Sequence, residues 1–169
     1  PFAVLDAGPG PILVGRGARV AAHTVVTGPC VIGPGTQLLG GFVSGTTFGP
    51  ECRVAGEVEA SVWQGYGNKR HHGFVGHSVL GEWVNLGADT NASNLKNTYG
   101  SVRMQLAPDA PAEDSRQTKL GPLIGDFTRT AIGSRLMTGS CLSTGTMLAI
   151  SGFAPKFTRR FAFLTDEGD

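Results

Sequence analysis

No apolar run in this chain of 169 residues approaches the roughly 20 residues that a membrane-spanning helix needs, and no signal-peptide pattern is legible. Charge of one sign is missing as well. The 14 Lys and Arg are matched by 13 Asp and Glu, a formal net charge of +1, so no polyanion-binding surface is implied. No basic stripe with interleaved aromatics occurs, which argues against a nucleic-acid partner. Cysteine is scarce. Cys30, Cys52 and Cys141 are odd in number, widely spaced and form no Cys-x-x-Cys pair, so a reducing, cytoplasmic compartment is expected rather than a disulfide framework. A glycine-rich phosphate loop ending in Gly-Lys-Ser or Gly-Lys-Thr is also absent, so nucleotide chemistry is not expected in these residues. The chain opens at Pro1 without a Met, and the expectation is a piece of a longer protein.

What is abundant is glycine and proline, 26 and 10 residues, and they fall at regular offsets, as in a turn-rich repeat rather than a disordered segment. The repeat has a beat of six. Val14, Val20, Val26, Ile32 and Leu38 stand six apart, and Gly15, Ala21, Thr27 and Gly33 follow them as small residues. The beat returns at Phe74, Leu80 and Leu86, and again at Ile124, Leu136, Leu142 and Leu148 with Thr130 on the missing beat. A hexapeptide period is the signature of a parallel β-helix. Each repeat is a short strand and a turn, three repeats close a triangular coil, and the repeated apolar residue points inward.

The expected organisation is one domain over residues 1–169. The beat slips around Ser44–Thr47 and resumes at Phe48 and Val54. It is interrupted by the polar stretch Gln64–His72, and residues 74–91 read as one full coil. Residues 97–119 leave the beat again, with Pro108, Asp109, Pro111, Glu113 and Asp114 marking an inserted loop, hairpin-like around Ser101–Leu106. The tail 151–169, with Phe153, Phe157, Phe161 and Phe163 among basic residues, is expected to cap the open end of the prism, where an uncovered coil would expose its core.

Residues 65–97 carry the chemistry. His71 stands five residues before Gly76; Leu80-Gly81, Asn85-Leu86-Gly87-Ala88 and Asn94 follow. This segment resembles the acetyltransferase domain of bifunctional N-acetylglucosamine-1-phosphate uridylyltransferase/glucosamine-1-phosphate acetyltransferase and of related bacterial and archaeal sugar nucleotidylyltransferases. The hexapeptide resemblance covers most of the chain, the functional match about thirty residues. It implies an all-β, left-handed parallel β-helix, the exception to the usual right-handed parallel crossover. It also implies a homotrimer with sites between subunits and N-acetyl transfer from acetyl-CoA to an amino-sugar 1-phosphate. In a full-length protein the domain would follow an N-terminal nucleotidylyltransferase domain.

The resemblance assigns His71 as general base, since an amine must lose a proton before attacking a thioester and an imidazole can accept it; an isolated loop His would carry no such role. Asn85 and Asn94 match substrate-holding positions, although outward Asn residues on a β-helix also form ladders or satisfy turns. Lys69, Arg70 and Lys96 crowd the segment as phosphate ligands or as solvated surface. Ala88, Ala131 and Ala149 match small positions beside the acetyl-CoA groove, with backbone N–H groups near Ala88 as the oxyanion site. Arg159, Arg160 and Lys156 are candidates for the CoA phosphates. No metal ligand is expected, and no acyl-enzyme, because none of the three Cys falls in the matched segment. Two departures stand out: Phe74 replaces the common Tyr, and Asn94-Leu95-Lys96-Asn97 replaces Asn-Tyr-Asp-Gly.

The beat itself adds one expectation. Asp89 lies 18 residues after His71, one full coil of three hexapeptides, and would stack over it to hold the imidazole tautomer; the alternative is a solvated corner Asp. Two further readings remain open. The β-helix could be a non-catalytic trimerisation or regulatory element of a nucleotidylyltransferase. It could also be a zinc carbonic anhydrase, since His72 and His77 stand five apart, but a catalytic zinc needs a third protein ligand and His23 is far from the expected offset.

Overall fold

Short β-branched and aliphatic segments broken by glycine every few residues can pair only with neighbouring coils, and they do so almost entirely in parallel. The computed structural model describes residues 2–168. Its described residues contain strands and no helix, so no helix is long and apolar enough to cross a membrane. The strands stack into a three-faced β-helix.

On one face, Val26, Val43, Val58, Val75, Ala92 and Leu136 point inward in register. On the next, Ile32, Phe48, Trp63, Leu80, Ile124, Leu142 and Thr158 do so. On the third, the inward column is Leu38, Val54, Lys69, Leu86, Thr130 and Leu148, closed by Leu164. We refer to these as the first, second and third faces. Apart from Lys69, Thr130, Thr158 and the half-buried Leu164, these residues form the buried apolar core.

The six-residue step is kept at the corner between the second and third faces, as from Ile32 to Leu38 or from Leu80 to Leu86. Each such corner holds a left-handed residue three positions after the inward one: Gly35, Glu51, Tyr66, Trp83, Phe127, Gly145 and Phe161. A non-glycine residue there costs on the order of 1 kcal/mol. The amide of each bonds to a carbonyl of the coil before it, Trp83 to Gly65 and Phe127 to Glu82 for example. Gly49 shows why small residues open these corners: a Cβ there would lie 1.8 Å from the Gln64 carbonyl oxygen.

The other two corners vary: some keep six residues, as from Val26 to Ile32, and others are shorter, as from Val58 to Trp63 and from Val75 to Leu80, which corrects the strict beat. Val58 pairs with Val75 and Val75 with Ala92, so these coils have 17 residues rather than 18. Val75, not Phe74, is the inward residue, and Phe74 faces outward between Glu57 and Asn91. The insertion leaves after Asn94 and rejoins at Leu120, whose amide bonds to the Asn94 carbonyl. It carries an antiparallel pair, Arg103–Met104 with Glu113–Asp114, and tucks Val102 and Met104 against Gly139. The tail expected as a cap continues the ladder: Phe157–Thr158 and Phe163–Thr165 pair in parallel with the coil beneath. It thus covers the last coil as a further coil, leaving Phe153, Phe161 and Phe163 exposed.

Candidate functional site

The 17-residue register decides which side chains share a surface. On the outer side of the first face, Glu57, Phe74 and Asn91 form one column. Glu59 and Gly76 stand in the next. Phe74 is held in its strand by the Asn91 side chain, whose Oδ1 accepts the Phe74 amide at 3.0 Å while its Nδ2 donates to the Asp89 carbonyl at 2.9 Å. At one end of strand Phe74–Gly76 lie His71 and His72; at the other lie His77 and Asn94.

Gly76 makes room at this surface. A Cβ there would meet the Phe74 ring, the Asn94 amide and the Glu59 side chain. Into that space Glu59, His77 and Asn94 converge. Asn94 Nδ2 lies 2.9 Å from Glu59 Oε1 and 2.9 Å from His77 Nδ1, and His77 Nδ1 lies 3.4 Å from the same carboxylate oxygen. The His77 amide bonds to the Glu59 carbonyl, and the His77 carbonyl accepts the Gly121 amide where the insertion returns. The backbone of His77 is left-handed, with φ of 50°.

Beside Asn94, the first turn of the insertion and the next coils enclose a cavity of about 330 Å³ lined by Lys96, Thr98, Met137, Thr138 and Phe153 among others. The Lys96 ammonium donates to the Ser101 carbonyl at 3.1 Å, and that of Lys156 donates to the Thr138 carbonyl. Burial, and then the positive charge of Lys96, pull the Lys156 ammonium below its ordinary pKa. Lys96 lines the cavity and Lys156 reaches its Thr138 wall, and two cations this near each other suit an anionic group.

The residues expected from the sequence divide over this framework. The His71 imidazole is exposed, and only its carbonyl is engaged among the described residues, by the Lys69 ammonium at 3.0 Å. Asp89 does not stack over His71. Its amide bonds to the His72 carbonyl, because the coil is one residue shorter than three hexapeptides. Lys69 is not on the surface at all. It occupies an inward position on the third face, 1% exposed, with Nζ donating to the Ala55 and His71 carbonyls at 2.8 and 3.0 Å. Burial lowers its pKa to about 8, and the charge of Asp89 only partly opposes this. Asn85 faces outward on the third face, where its Oδ1 accepts from Asn68 at 2.6 Å, an asparagine ladder.

Ala131 and Ala149 are neighbours on adjacent coils, since Thr130 pairs with Leu148 and the Ala131 amide bonds to the Leu148 carbonyl. The Ala88 carbonyl accepts the Gly133 amide, but the residue opposite Ala131 is Gly87, so Ala88 stands one position beyond this column. Arg159 lies at a different corner, the one between the second and third faces. It is mostly exposed and 3.9 Å from Asp109 of the insertion. Among the described residues no three His, Cys, Asp or Glu side chains are grouped to hold a metal ion; His72 and His77 are separated by the full strand Phe74–Gly76.

Glu59 escaped the sequence reading, and His77 entered it only as a zinc ligand. The signal was present as a spacing of 17, from 60 to 77 to 94, which places His77 and Asn94 on successive coils with Glu59 beside them. No protein-family profile matches the chain, and no curated protein matches it.

Proposed function

We propose that this β-helix, left-handed and assembled as a trimer, transfers the acetyl group of acetyl-CoA to the amine of an amino-sugar 1-phosphate. The observation that carries the proposal is one outward face. His71 stands at one edge, Glu59, His77 and Asn94 at the other, and next to them lies a cavity lined by Lys96, with Lys156 bonded to the Thr138 carbonyl at its wall. A fold does not define a reaction; the argument rests on this grouping and on the sequence resemblance over residues 65–97.

In this reading the Lys96 and Lys156 ammonium groups hold the sugar phosphate. His71, whose side chain has no partner among the described residues, takes a proton from the attacking amine. The new C–N bond forms first, giving a tetrahedral oxyanion; its collapse breaks the C–S bond of the thioester, and the sulfur leaves as thiolate and is then protonated. Backbone N–H groups beside the alanine column stabilise the tetrahedral oxyanion, and holding both substrates in one cleft contributes by proximity. The full-length protein would place a nucleotidylyltransferase domain ahead of this one.

The test is product detection by mass after incubation with acetyl-CoA and either glucosamine 1-phosphate or galactosamine 1-phosphate. An N-acetylated sugar phosphate from one of them supports the reading and names the sugar. The competing reading, a non-catalytic trimerising scaffold, draws on the absence of a hydroxyl at Phe74. It is favoured if neither sugar is acetylated by protein shown to be trimeric.

A further inference from the structure

The Asn94 amide decides how the imidazole next to it can behave. A carboxylate oxygen only accepts hydrogen bonds, so the Asn94 atom 2.9 Å from Glu59 Oε1 is its NH₂ group. The same nitrogen lies 2.9 Å from His77 Nδ1. With one amide hydrogen directed to each neighbour, Nδ1 is an acceptor and carries no proton. A neutral imidazole with a bare Nδ1 holds its hydrogen on Nε2. Among the described residues Nε2 has no hydrogen-bond partner, and the His77 side chain is 26% exposed.

We infer that His77 is a fixed hydrogen-bond donor at this face, locked as the Nε2–H tautomer by the Asn94 bridge to Glu59, and that Nε2–H binds an oxygen of the sugar phosphate. Both amide hydrogens of Asn94 are then committed within the protein. Asn94 acts as a positioning residue, and what it has left for a ligand is Oδ1. Glu59 orients the amide and makes the reversed amide unfavourable, since Oδ1 would then face a carboxylate. His77 thus works as a donor, in contrast to the proton-accepting role proposed for His71. The ligand half of this inference rests on the acetyl-transfer reading; the tautomer half does not.

The experiment is long-range proton–nitrogen NMR of the histidine rings at pH 8, where an ordinary histidine is neutral, with His77 assigned by its loss in His77→Gln. The expected wild-type signal is a protonated Nε2 and an unprotonated Nδ1. In Asn94→Ala the carboxylate becomes the only neighbour of Nδ1, and the proton is expected to move toward Nδ1. A wild-type ring protonated on Nδ1, or a tautomer unmoved by Asn94→Ala, overturns the inference whatever the enzyme does.

Titration with glucosamine 1-phosphate is expected to shift the His77 Nε2–H signal, and inorganic phosphate alone to shift it if the bound oxygen belongs to the phosphate. No shift with either probe overturns the ligand half. His77→Phe is expected to weaken glucosamine 1-phosphate binding about tenfold, the scale of one lost hydrogen bond; unchanged affinity contradicts it. If product detection fails while the tautomer results hold, the acetyl-transfer reading falls and the donor remains.

Discussion

Lys69 occupies a place in the third-face ladder that every neighbouring coil but one fills with an apolar side chain, between Val54 and Leu86. Its ammonium satisfies two carbonyls, those of Ala55 and His71. It thereby ties the loop that carries His71 to the coil below. Burial lowers its pKa to about 8, against about 10.4 in an unfolded chain. Between these values the unfolded chain holds a proton that the folded chain has released. The contribution of Lys69 to stability therefore rises with pH across that window, by at most about 3 kcal/mol, and below it the buried charge is a full cost. Urea unfolding of wild type and Lys69→Met at pH 7, 8, 9 and 10 checks this. The wild type should gain on the variant as pH rises from 8 to 10; a constant or shrinking difference contradicts the assignment.

Individual coils owe their shape to corners, and two glycines separate the reasons for them. Gly17 has φ of +72° and open space around it, whereas Gly49 faces the Gln64 carbonyl oxygen at 1.8 Å. Gly17→Ala should cost about 1 kcal/mol for the left-handed backbone. Gly49→Ala should cost about 3 kcal/mol or more, because a rung of the ladder must move; thermal unfolding that ranks them the other way refutes the account of the corners.

The same corners explain what could be read beforehand. The beat is legible from Val26 to Leu38 and from Ile124 to Leu148, where successive inward residues stand six apart. It misleads between Val58 and Leu80, because shortened corners remove residues that a count by six retains. Lys69 hides one apolar position there, and Phe74 imitates one. The apolar ladder was therefore legible, but the alignment of Glu59 with His77 and Asn94 was not, since it depends on coil length. That length also moves Asp89 beside His72. Asp89→Asn should leave the pH profile of acetyl transfer unchanged; a shifted profile would restore a role for this carboxylate at His71.

Across the whole molecule, the expected ligands for acetyl-CoA divide between two corners, the alanine column at one and Arg159 at the other. A site using both would draw on neighbouring copies, in keeping with the closed trimer that the resemblance implies and that we propose. The stripe of exposed Tyr66, Trp83 and Phe127 rings, with Tyr66 and Trp83 stacked 4.6 Å apart, supplies apolar surface for such an assembly. Light scattering should give three times the 17.5 kDa chain mass. The central claim is tested most directly by thiol release from acetyl-CoA with glucosamine 1-phosphate or galactosamine 1-phosphate, measured for the trimer beside His71→Ala. The account predicts turnover with one of the sugars and a loss of about a hundredfold or more in the variant, the contribution of a general base. Turnover unchanged in His71→Ala, or none with either sugar, would contradict it.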